Sequence, residues 1–94
     1  MVEKIKQIAT SGYQNPVILC CDENRKEYIS YAKTLAMGPR KHLEEISKHI
    51  FKNLRKVDRE NPDIVLIEGV EKNGLGLAIM NRLLRACEYQ YIEV

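Results

Sequence analysis

The stretch from Pro39 to Arg59 constrains the fold more than any other part of the chain. Leu43, Ile46, Ile50, Leu54 and Val57 recur at spacings of 3, 4, 4 and 3 residues, which puts them on one face of an α-helix. Pro39 suits its first turn, Glu44 and Glu45 suit the positive N-terminal end, and Arg55, Lys56 and Arg59 suit the negative C-terminal end. "NP" at 61 and 62 stops the helix, and "DIVLIEG" at 63 to 69 follows as an apolar, β-branched run of the kind found in interior strands. A helix feeding straight into a buried strand calls for a layered α/β protein.

The remaining elements are read against that pair. "VILCC" (17 to 21) is a continuous apolar run suited to a short strand buried on both faces. In "EYISYAKTLA" (27 to 36), Tyr28, Ile29, Tyr31 and Thr34 favour a strand, which would form a hairpin with "VILCC". Ile29, Ala32, Leu35 and Ala36 also fit one face of a helix capped by Asp22 or Asn24, and the strand is the reading we adopt. Val2, Ile5 and Ile8 permit one or two helical turns before the breaker "TSGYQNP", so residues 1–15 are expected to be irregular or briefly helical. "LAIMNRLLRAC" (77 to 87) has helix-forming composition, with Ala78 and Ile79 among its apolar positions, and "YQYIEV" (89 to 94) alternates as a final strand. The expectation is an α/β protein of the α+β two-layer sandwich type, a single domain over 1–94. Its order would be β-β-α-β-α-β, a four-stranded mixed sheet with two helices on one face.

Composition sets the functional bounds. With 94 residues, 45% apolar and 30% charged, the chain reads as one small soluble domain. No apolar run approaches the roughly 20 residues that cross a bilayer, so no membrane partner is expected and the location is cytoplasmic, or nuclear in a eukaryote. Cys20, Cys21 and Cys87 form no CxxC pair, and His42 and His49 are the only histidines. Adjacent cysteines on a strand point to opposite faces, so no metal site is expected and the thiols read as small buried groups in a reducing compartment.

Two stretches invite chemistry. Gly74 and Gly76 lie between a strand and a helix, where backbone N–H groups can face an anion. Yet the chain has no GxxxxGK[ST] loop, and Ile79 stands where GxGxxG needs glycine, so no nucleotide cofactor is expected. Asp22 and Glu68 end strands as acidic residues do in ribonuclease H-like enzymes, which gives one alternative, a metal-dependent nuclease using that pair. Lys41, Lys48, Lys52, Arg55, Lys56 and Arg59 form a basic face opposite the apolar stripe, suited either to solubility or to a polyanion.

From Pro39 onward, about 55 residues, the chain resembles the Alba superfamily of small nucleic-acid-binding proteins, whose relatives include small subunits of nuclear ribonuclease P. The resemblance lies in the helix at 40 to 57, "DIVLIEG", "GLAI" at 76 to 79 and "YQYIEV", although members usually carry one strand before that helix and end in a β-hairpin. It implies a nonenzymatic RNA- or DNA-binding protein contacting the phosphate backbone, acting as a homodimer or heterodimer. The implied contacts are Arg40 and Lys41 before the first helix, Lys48 and Lys52 on its basic face, and Lys72, Asn73 and Gly74 in the loop before the second. In that motif Gly76 would allow close helix-to-sheet packing while Ala78 and Ile79 bury the first turn. The remaining alternative is a small α/β protein–protein interaction subunit that binds no nucleic acid.

Overall fold

The computed structural model describes residues 2–69, 74–86 and 91–93. Its helices are α1 (Val2–Ala9), a 3-10 turn (Asp22–Asn24) running into α2 (Arg25–Tyr28), α3 (Leu43–Lys48), α4 (Ile50–Glu60) and α5 (Gly74–Ala86). Its strands are β1 (Pro16–Cys20), β2 (Lys33–Ala36), β3 (Ile64–Ile67) and β4 (Tyr91–Glu93). They form one sheet in the order β2-β1-β3-β4, and every neighbouring pair is parallel.

The expected mixed sheet with two helices on one face is therefore wrong, and so is the hairpin. The stretch 27–36 divides instead, its start completing α2 and its end forming β2, which returns parallel to β1 with Ile18 opposite Thr34. A parallel neighbour needs a crossover, and α2 supplies a short one. From β2 the chain then travels back past β1 to reach β3, with Ile18 opposite Leu66. Right-handed crossovers in opposite directions put their helices on opposite faces, so the molecule has three layers rather than two.

The core shows the consequence residue by residue. Val17 and Leu19 of β1 and Cys21 just past its end face one side, with Val65 and Ile67 of β3, against Ile46 of α3, Ile50, Leu54 and Val57 of α4 and Ile79 of α5. Ile18 and Cys20, with Ile64 and Leu66, face the other side against Ile5 and Ala9 of α1 and Tyr28 of α2. Both strands are apolar at every position because both of their faces are covered. Full burial of each such Ile, Leu or Val side chain contributes roughly 1.5–3 kcal/mol.

The long amphipathic helix is present but interrupted: α3 and α4 meet at His49 (φ −106°, ψ 10°), and the apolar stripe continues across the break into one core. At its far end Asn61 takes the left-handed conformation (φ 48°), and the Asn15 side-chain amide donates to the carbonyls of Glu60 and Asn61. Asp63 accepts the backbone N–H groups of Gln14 and Asn15, which fixes the entry of β1 beside β3. In α5, Gly76 and Ile79 are buried but Ala78 is exposed, so the first turn packs through two of the three residues expected.

Candidate functional site

In an open parallel sheet, ligands bind outside the carboxyl ends of the strands, at the point where the strand order reverses. Here that point lies between β1 and β3, because the chain leaves β1 toward β2 on one side and reaches β3 on the other. Glu68 stands there, one residue past the end of β3 and completely buried, with its backbone N–H donating to the carbonyl of Leu19 at 2.8 Å.

Its carboxylate accepts four hydrogen bonds. Oε1 receives the backbone N–H of Cys21 at 3.1 Å and Nη2 of Arg40 at 2.9 Å, while Oε2 receives Nδ2 of Asn24 at 2.8 Å and the Tyr28 hydroxyl at 2.7 Å. Two carboxylate oxygens offer about four acceptor positions, so the group is saturated by its own chain. Arg40 also donates through Nη1 to the carbonyl of Gly69 at 2.9 Å, and its backbone N–H donates to the Glu23 carboxylate. That backbone hydrogen bond holds the Glu23 carboxyl below the usual carboxylate range.

The Tyr28 phenol and the thiols of Cys20 and Cys21 are held in their neutral, unreactive forms. Burial first, and then the hydrogen bond to Glu68, pushes the Tyr28 phenol far up, so it remains a donor. Burial pushes the thiols of Cys20 and Cys21 up to about 12 and about 11, so neither is a nucleophile at neutral pH. No cluster of His, Cys, Asp and Glu able to hold a metal occurs among the described residues. Glu68 has no acceptor position left for a metal ion and Asp22 is exposed, so the geometry does not build the carboxylate pair of a nuclease.

Of the expected nucleic-acid contacts, Arg40, Lys41, Lys48, Lys52 and Gly74 fall among the described residues. Arg40 is turned inward onto Glu68, with its side chain 36% exposed, while Lys41 and Lys48 are exposed around α3 and Lys52 lies on α4. Gly74 is exposed at the start of α5 with φ +54°, and Lys72 and Asn73 lie outside the described residues. Glu68 as an internal tie, with Asn24 and Tyr28 as its partners, was missed from sequence.

The family model described as threonylcarbamoyl-AMP synthase, C-terminal domain, matches residues 2–87. The chain belongs to this family. Similar proteins include the threonylcarbamoyl-AMP synthase of Pyrococcus abyssi, 54% identical over 52 residues that make up 55% of this chain and 15% of that protein. The Schizosaccharomyces pombe enzyme of the same name is 35% identical over 82 residues, 86% of this chain and 20% of the relative. The Bacillus subtilis one is 30% identical over 86 residues, 90% of this chain and 24% of the relative. The chain thus spans no more than a quarter of the length of these synthases.

Membership in this domain family overturns the Alba resemblance and the nonenzymatic RNA- or DNA-binding role drawn from it. It supports neither alternative, the interaction subunit or the nuclease. "GLGLAI" misleads because a small residue and an apolar residue at the start of a helix are a packing solution open to unrelated α/β folds. No helix among the described residues is long and apolar enough to cross a membrane.

Proposed function

We propose that this chain acts as the C-terminal module of a threonylcarbamoyl-AMP synthase and takes no part in bond making, the adenylate being formed by the portion of such proteins outside the match. The observation that carries this reading is the saturated Glu68. At the strand ends where an α/β sheet ordinarily receives a ligand, this chain's own donors occupy the acidic group. The same four bonds tie the end of β1, both ends of α2, the turn before α3 and the end of β3 into one rim. Such a rim serves to present a fixed surface to a neighbouring domain.

The test uses the Bacillus subtilis relative, whose match covers most of this chain. Product is followed by mass spectrometry of threonylcarbamoyl-AMP for four proteins: the intact relative, the relative without its matched portion, a chimera carrying this chain in that place, and this chain alone. The expected pattern is loss of product on deletion, recovery in the chimera and none from this chain alone. Product formed by this chain alone would refute the reading, as would full activity after deletion.

A further inference from the structure

On α4, His49, Lys52, Asn53 and Lys56 follow one another at helical spacing, so they share one side of the helix beside the apolar stripe. That side borders an open pocket of about 180 Å³, completed by Asp22 just past β1 and by Ala36 to Gly38 at the end of β2. The pocket therefore lies at the carboxyl end of the sheet. Its floor is unusual: Asn53 is 6% exposed, and among the described residues no group hydrogen-bonds to its side-chain amide. Buried amides are nearly always partnered, and one left open toward a pocket is shaped for something that enters it. Lys52 and Lys56 likewise make no ion pair among the described residues, so their charge is uncommitted.

We propose that this pocket binds inorganic phosphate. The donor and acceptor set selects that chemistry. Lys52, Lys56 and the Nδ2 of Asn53 offer donors to anionic oxygens, whereas Asp22 offers only an acceptor. A fully ionised anion would meet Asp22 with repulsion. A phosphate that keeps a proton at neutral pH donates it to Asp22 and turns the same residue into a partner. Carboxylates and sulfate carry no such proton, so Asp22 acts as the discriminating residue and the lysines supply attraction. Glu68 is not among the residues that line the pocket, and the proposal does not depend on the synthase reading, since it is tested by binding rather than by product formation.

The experiment is calorimetric titration of the 94-residue chain with inorganic phosphate and, separately, sulfate, at neutral pH and fixed ionic strength. Phosphate is expected to bind about tenfold or more tightly than sulfate, the equivalent of one charge-assisted hydrogen bond. Asp22→Asn should erase or invert that preference, because an amide can donate to sulfate. Lys52→Gln with Lys56→Gln should weaken phosphate by about tenfold or more. Lys41→Gln, which removes an exposed lysine outside the pocket, should leave binding unchanged. Equal binding of phosphate and sulfate that Asp22→Asn does not alter would overturn the proposal, as would an equal loss in Lys41→Gln. So would the absence of heat from phosphate in a chain whose circular dichroism shows it folded.

Discussion

Glu68 and Asn53 are both polar side chains buried near the carboxyl ends of the strands, and they stand at opposite extremes of hydrogen bonding. Glu68 is wholly inaccessible and accepts from four donors on four segments. Asn53 is almost as buried and has no partner for its side chain among the described residues. The difference separates two uses of buried polarity. A saturated group is committed to the fold, and removing it leaves several donors stranded; an unsaturated one costs stability in the folded state and is kept for another purpose.

The largest effect should come from the committed group. Glu68→Ala strands the Tyr28 hydroxyl, the Asn24 amide, the Cys21 N–H and the Arg40 guanidinium together, and should cost about 3–5 kcal/mol in urea unfolding. A loss below about 1 kcal/mol would mean that water replaces the carboxylate easily and that the rim is not a tie. Next in size is alkaline destabilisation. The thiols of Cys20 and Cys21 titrate near 9.0 when unfolded and at about 12 and about 11 when folded. Above 9.0 the unfolded chain therefore holds fewer protons than the folded one, so stability is complete below that pH and falls as pH rises. One unit above 9.0 the two thiols together should have removed about 3 kcal/mol, and Cys20→Ala should halve that loss while leaving the neutral-pH fold intact. A stability profile flat through this range would show the thiols to be solvated.

How much of this was legible in the sequence differs between fold and site. The apolar stripe of α4 and the strand around Leu66 are local patterns, and each was read from a single window of residues. The layer count was also legible, since "VILCC" and "DIVLIEG" are apolar at every position and such runs need cover on both faces. Placing both helices on one side contradicted that signal; α1, built on Ile5 and Ala9, is part of the missing cover. The site was not legible for a different reason. Glu68 meets its partners at sequence separations of 47, 44, 40 and 28 residues, so no window contains the cluster. A carboxylate after an apolar strand looks the same whether it is solvated, metal-bound or saturated by donors. Asn53 was hidden more simply, a polar residue one position from Leu54 on an amphipathic helix, where polar residues are expected.

Smaller changes probe each partner separately. Tyr28→Phe keeps the ring in the core cluster beside Ile18 and Leu66 and removes only the hydroxyl at 2.7 Å from Glu68. The cost should be about 1–2 kcal/mol, since a charged acceptor loses one of four donors and keeps three. If the change were neutral, the count of four would overstate what holds Glu68.

Asn53→Leu should give the smallest change in stability, and its sign is what matters. Leucine keeps the γ-branched shape and the number of heavy atoms, and it replaces a buried amide that has no partner among the described residues with an apolar group beside Ile50 and Val57. The folded chain should therefore be unchanged or more stable by about 0.5–1 kcal/mol, read as a raised melting temperature. A stabilising substitution at a buried position marks a residue retained for something other than folding. In the same variant phosphate affinity should fall, because the donor at the pocket floor is gone while Lys52 and Lys56 remain. A loss of about 2 kcal/mol or more would instead place Asn53 with Glu68, as a group the fold itself requires, and the contrast between the two would disappear.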